Sequence, residues 1–194
     1  MRKPEEAGTG FYGKVRTHGD FVGRGLSRGF VMQWDTWLQH GLLKAQKQRG
    51  DAWLQDFLGM PLWCFAMKPG VIDDAAYAGV VMPGIDAVGR YFPFVVARPM
   101  DHGVFHDWLR SSSVWYEQAA GLALSTLKAT FSLTEFEAGL EQLGSGAETL
   151  VWRDTFKRFL SEEGAASVWW TSSQGQHKHE GALDAALFLR LLEG

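Results

Sequence analysis

The stretch Phe11-Tyr12-Gly13-Lys14-Val15-Arg16-Thr17-His18-Gly19-Asp20-Phe21-Val22-Gly23-Arg24-Gly25-Leu26-Ser27-Arg28-Gly29-Phe30-Val31-Met32-Gln33-Trp34-Asp35-Thr36-Trp37 decides how the chain is read. It reads as a strand over about Phe11 to Arg16, a glycine-rich turn, and the start of a helix. Gly19, Gly23, Gly25 and Gly29 mark the turn. Ser27 is an N-cap candidate, and Phe30, Trp34, Trp37, Leu38 and Leu42 recur at helical spacing. The predicted helix runs from about Arg28 to Gln48, with Gln39, Lys44, Lys47 and Gln48 on its polar back. Lys14, Arg16, Arg24 and Arg28 crowd this segment together with Asp20. A loop so rich in glycine and charge, braced by aromatics, suggests a recognition surface and not a reaction.

Beyond Gly50, Asp51 is predicted to cap a short helix that buries Trp53, Leu54, Phe57 and Leu58, stopped by Gly59 and Pro61. Leu62 to Met67 and Tyr77 to Met82 are apolar runs of strand length, separated by a Lys68-Pro69-Gly70 turn. Pro83 to Val88 is a loop. Arg90 to Ala97 is a further strand, in which Pro93 implies an edge or a bulge. The strands flanking the Pro83–Val88 loop are expected to pair antiparallel.

The second half reads as mainly helical. Val104 to Arg110 is a short helix or turn, and Ser113 caps Val114 to Thr130, with Trp115, Ala119, Leu122, Ala123 and Leu127 on one face. Thr134-Glu135-Phe136-Glu137 is a capping box before Phe136, Leu140 and Leu143. Ser145 to Glu148 repeats the pattern before Trp152, Phe156, Phe159 and Leu160. Ser167 to Thr171 is a strand, Ser172 to Gly181 a polar loop, and Leu183 to Leu192 a terminal helix. The fold class is therefore α+β: a largely antiparallel sheet with helices packed against it, in a single domain. Residues 1–9 are expected to form a flexible tail, and residues 10–194 the domain, with a mainly helical part over 104–192.

At 194 residues, 46% hydrophobic and 21% charged, the chain suits one domain with a substantial core. A formal net charge of −3 gives no sign of nucleic acid or of an anionic membrane as partner. Met1 to Thr9 is charged and lacks the apolar region of a signal peptide. No apolar run approaches the ~20 residues that span a membrane. The single cysteine, Cys64, cannot form an internal disulfide, which fits the cytoplasm. It sits in an apolar run as a small buried hydrophobe, with a catalytic thiol as the sharper alternative. Nine Trp residues serve either as core filling or, where exposed, as interface anchors.

Candidate chemistry is sparse. Gly23 to Gly29 matches neither the dinucleotide fingerprint nor the P-loop. A helix start flanked by Arg24 and Arg28 suits a phosphate or carboxylate; the plainer reading is a tight turn whose arginines pair with Asp20 or Asp35. His102 and His106, at i and i+4, and the run His177-Lys178-His179-Glu180 have metal-like spacing but read better as solvated surface. No metal site, no cofactor and no nucleophile are expected, since Ser111 to Ser113 lack an elbow motif.

The chain also resembles a known family. Gly10-Phe11-Tyr12-Gly13-Lys14, Gly19-Asp20-Phe21-Val22 and Trp34-Asp35-Thr36-Trp37-Leu38 are similar to the N-terminal signature of the TagF (ImpM) family of type VI secretion proteins. Gly89-Arg90-Tyr91-Phe92-Pro93-Phe94 is similar to its second signature. The likeness is good over about Gly8 to Arg98 and fades after about Ser125. It departs from the commonest signature at Val15-Arg16-Thr17-His18. It implies a cytoplasmic, non-enzymatic, post-translational repressor of secretion-system assembly. The implied partners are the forkhead-associated scaffold protein of that system and its threonine-phosphorylation pathway of kinase and phosphatase. The alternative is a small-ligand or phosphate sensor using the loop 19–29. Asp20, Arg24, Arg28 and Arg90 are the candidates for contact with a partner or an anion. Gly13, Gly19, Trp34, Asp35, Trp37 and Pro93 are the structural members of the signature.

Overall fold

In a computed structural model of the chain, the structure describes residues 8–144, 150–172 and 175–194. Seven strands form one sheet in which every pairing is antiparallel. They are β1 (Gly10–Gly13), β2 (Val22–Arg24), β3 (Trp63–Met67), β4 (Ala76–Met82), β5 (Phe94–Met100), β6 (Ala165–Trp170) and β7 (His177–Glu180). The order is β2-β1-β5-β4-β3-β6-β7. A central meander, β3-β4-β5, is thus extended on one side by the N-terminal hairpin and on the other by the C-terminal one. This is the α+β architecture expected.

The helices are α1 (Arg28–Arg49), α2 (Trp53–Gly59), α3 (His102–Arg110), α4 (Ser113–Ser125), α5 (Leu133–Glu141), α6 (Leu150–Ser161) and α7 (Ala185–Glu193). They cover both faces of the sheet. On one face Phe30, Trp34, Trp37 and Leu38 of α1, Phe57 of α2 and Phe188 of α7 pack on Trp63, Phe65, Met67, Tyr77, Val95 and Trp169. On the other, Phe105, Trp115, Ala119, Phe136, Phe156 and Phe159 pack on Phe11, Ala66, Ala78, Val80, Phe94, Val96 and Val168. Successive strand residues therefore enter opposite cores, which is why these strands are continuous apolar runs without polar alternation.

The long helix begins as expected: Ser27 Oγ accepts the Phe30 N–H at 3.0 Å. Its partner α7 is held by two indoles, Trp37 Nε1 donating to the Asp184 carbonyl at 2.7 Å and Trp63 Nε1 to the Leu191 carbonyl at 2.9 Å. Close approach of α1 to α7 requires Gly41, where a Cβ would lie 2.4 Å from the Phe188 ring.

Several expected boundaries and faces are corrected. The first strand stops at Gly13, and Val22–Arg24 within the glycine-rich turn is a second strand. Pro93 precedes β5, and β5 is an interior strand. Pro99 lies in its last part, beyond Ala97, where β1 no longer pairs. Asp51 sits in a 3-10 turn and does not cap α2, which buries Phe57 while Leu58 faces solvent. Ser113 opens α4 without capping it, and the helix ends at Ser125 with Leu127 exposed beyond it. The cap of α5 is Ser132, whose Oγ accepts the Glu135 N–H, two residues before the predicted box. Four of the ten residues of the predicted polar loop 172–181, His177–Glu180, form the edge strand β7. Of the predicted tail 1–9, residues 1–7 lie outside the described residues, as do the capping pattern 145–148 and the side chain of Trp152. Among the described residues no helix is long and apolar enough to cross a membrane.

Candidate partner-docking site

The two signature blocks meet at one corner of the sheet. Pairing of β1 with β5 places Tyr12 opposite Val95. Gly13 follows with φ +142°, and a Cβ there would stand 2.4 Å from the Pro93 carbonyl oxygen. Only glycine admits that contact. The chain then delivers Lys14 into the protein, where its Nζ donates to Asp86 Oδ2 at 2.5 Å, with side chains 6% and 0% accessible.

Asp86 is the hub. It opens a turn, Asp86-Ala87-Val88-Gly89, closed by the Gly89 N–H on its carbonyl at 3.1 Å. Its Oδ1 accepts the backbone N–H groups of Val88 at 3.0 Å and Arg90 at 2.8 Å, and its Oδ2 accepts Arg90 Nε at 2.7 Å besides Lys14. Burial pushes the carboxyl pKa up, but the Lys14, Arg90 and Val88 hydrogen bonds pull it down further. The net effect is well below the usual carboxylate range. The group is thus held ionised with its acceptor sites filled, an arrangement that fixes loops and leaves no site for proton transfer.

The same turn clasps the loop after β1. Arg90 donates through its guanidinium to the Gly19 carbonyl, and the Ala87 N–H donates to the His18 carbonyl at 2.8 Å. Over this clasp Phe21 stacks on Tyr12, with centroids 5.3 Å apart and planes at 6°, and meets Phe92 edge-on at 4.9 Å. Lys14 Nζ lies 4.9 Å from the Phe21 centroid. Tyr12 is anchored to α1 by its hydroxyl, which donates to Asp35 at 2.8 Å. Burial and the adjacent Asp35 raise the Tyr12 pKa well above that of a free phenol. Outward, Phe21 is 39% and Val88 68% exposed. Two exposed apolar side chains thus stand on loops that are braced against each other.

The candidate residues divide. Arg90, Gly13, Gly19, Asp35 and Pro93 converge on the corner, while Trp34 and Trp37 belong to the core behind it. Asp20 is exposed and accepts the N–H of Phe21 at 2.8 Å, so it shapes the loop locally. Neither arginine pairs with Asp20 or Asp35, contrary to the plainer expectation. Arg24 reaches across to Glu137 of α5, and Arg28, the first residue of α1, is exposed. Arg24 and Arg90 therefore engage different elements and line no common anion site. Lys14 as a buried cation, Asp86, Phe21 and Val88 were missed as site members; the Asp-x-x-Gly spacing of residues 86–89 was the available signal.

Other chemical candidates have structural surroundings. Burial pushes the Cys64 thiol up to about 12, which keeps it protonated and unreactive. His102 and His106 stack at 5.7 Å. His179 contacts the Ala182 carbonyl at 2.9 Å and Arg190 at 2.8 Å. Among the described residues no group of three or more His, Cys, Asp or Glu is placed to hold a metal ion.

No curated protein sequence matches the chain. The solved structure of PA0076 from Pseudomonas aeruginosa PAO1 is similar to it, with a TM-score of 0.81 and 37% identity over 95% of this chain and 93% of that one. The family described as TagF N-terminal domain, Type VI secretion system-associated, matches residues 10–143, well past the point near Ser125 where the resemblance was expected to fade. With both signature blocks inside that match and joined in space through Gly13–Pro93 and Arg90–Gly19, the chain belongs to the TagF N-terminal domain family of type VI secretion system-associated proteins.

Proposed function

We propose that this protein is a non-enzymatic cytoplasmic regulator that restrains assembly of the type VI secretion system by docking onto one of its components. The forkhead-associated scaffold protein, within the threonine-phosphorylation pathway, is the proposed partner. The observation that carries the reading is the pair of exposed apolar side chains, Phe21 and Val88, on loops held together by the buried Lys14–Asp86 pair and the exposed Arg90 that clasps Asp86. Rigid aromatic and aliphatic anchors with a cationic surround suit protein recognition. The alternative, a phosphate sensor, is less well supported, because Arg24 and Arg90 turn to separate acids.

Deleting the gene tests the reading. Secretion should rise while transcripts of the apparatus stay level, and the scaffold protein should co-purify with the tagged chain. Unchanged secretion in a strain with an intact apparatus overturns it.

A further inference from the structure

β2 is the last strand on its side of the sheet, and among the described residues nothing pairs with its outer edge. Its inner edge pairs with β1, Val22 opposite Gly13 and Arg24 opposite Phe11. In an antiparallel strand, alternate residues turn both N–H and C=O to the same side. Either Gly23, or both Val22 and Arg24, therefore present a donor and an acceptor outward. Such an edge is a template for another strand unless it is blunted. The opposite edge, β7, is blunted by Lys178, which is tied to Glu162, and by the bulge where β6 meets it at Ala165/Ser167. β2 is short, three residues with Arg24 drawn to Glu137, but it has no proline, no lysine and no bulge, and its middle residue has no side chain to obstruct an incoming strand.

Charge supplies the chemistry of the occupant. Between residues 14 and 28 the sequence holds four cations, Lys14, Arg16, Arg24 and Arg28, and one acid, Asp20, a net +3 in a chain whose formal net charge is −3. Lys14 and Arg24 have acidic partners. Arg16 and Arg28 are exposed, stand on either side of β2 in the chain, and have no ion pair among the described residues. We propose that β2 accepts an extended acidic segment of a partner polypeptide as an eighth strand, its carboxylates meeting Arg16 and Arg28 and an apolar side chain meeting Phe21. This deepens the docking reading and rests on it.

The test uses the full chain and a fluorescein-labelled Glu-Val-Glu-Val-Glu-Val peptide, read by anisotropy at low salt. Saturable binding is expected, weakened about tenfold or more by Arg16→Glu with Arg28→Glu at unchanged melting temperature. The same peptide N-methylated at alternate nitrogens keeps its charge but cannot add as a strand, and it should lose binding to the wild-type chain. Equal binding of the N-methylated peptide overturns strand addition, as does displacement of the parent peptide by inorganic phosphate alone. No binding, with a wild-type dimer in sedimentation that the double substitution dissolves, assigns the edge to a second copy and overturns the proposal. These readouts do not depend on secretion, so their failure is separable from failure of the regulatory reading.

Discussion

Lys14 and Asp86, 72 positions apart in the chain, form an ion pair of 2.5 Å from which solvent is excluded. Removing one member strands the other's charge in the interior. Asp86→Asn is expected to cost about 3–5 kcal/mol. Lys14→Met combined with Asp86→Asn should restore part of that loss, since no ammonium is left buried without a counter-charge and the amide oxygen still accepts the Val88 and Arg90 N–H groups. Urea midpoints of the three proteins check this; a single mutant as stable as wild type contradicts the burial.

The same carboxylate sets an acid limit. Its pKa is lower folded than unfolded, so the unfolded chain binds more protons in the interval between the two. The stabilisation is complete above the ordinary carboxylate value of about 4 and is lost as pH falls below it toward the lowered native value. Urea midpoints between neutral pH and about pH 3 should decline for wild type, and the decline should be shallower for Asp86→Asn.

Gly13 allows the second signature block to cross the first. Its φ is +142°, and a methyl group added there would stand 2.4 Å from the Pro93 carbonyl oxygen, so an alanine has nowhere to go. Gly13→Ala should destabilise by about 2–4 kcal/mol, from backbone strain and displacement of the Pro93 turn. The control is Gly19→Ala, where nothing lies within 4 Å of the added carbon. Thermal melts of the two should differ widely.

The central strands were readable because both of their faces are buried, so Leu62–Met67 and Tyr77–Met82 appear as apolar runs. The edge strands were not: Val22-Gly23-Arg24 and His177-Lys178-His179-Glu180 meet solvent and carry no hydrophobic pattern. Ser27 and the Phe30–Trp34–Trp37 spacing announced α1 because capping and periodicity are local. The Lys14–Asp86 pair depends on β5 lying between β1 and β4, a long-range pairing that no local signal encodes. Arg24 likewise found Glu137, 113 residues away, and not the nearby Asp20.

Trp34 is fully buried between Phe30, Trp37, Phe65 and Trp169, and its indole N–H has no hydrogen-bond partner among the described residues. Trp34→Ala should cost about 3–5 kcal/mol. Trp34→Phe should cost clearly less, because it keeps a ring in the stack and removes an unsatisfied donor. Chemical denaturation of both variants measures the difference; equal losses would mean that the N–H contributes to stability.

Arg24 and Phe21 separate folding from docking. Arg24 is two-thirds exposed, and its bond to Glu137 is a surface ion pair, so Arg24→Glu should shift stability by no more than about 1 kcal/mol. Phe21 covers Tyr12 and Phe92 but keeps an open face, so Phe21→Ala should cost about 1 kcal/mol and Val88→Glu less. The corner beneath remains, because Lys14, Asp86 and Arg90 are untouched. The Phe21→Ala/Val88→Glu double variant is therefore expected to fold and to fail in restraining secretion, whereas Arg24→Glu should weaken that restraint in proportion to its part in an acidic contact. Secretion assays paired with melting curves read the two effects independently. A folded double variant with full restraint would remove the Phe21–Val88 surface from the docking site. Full restraint by Arg24→Glu alone would remove Arg24 from it while leaving the apolar surface in place.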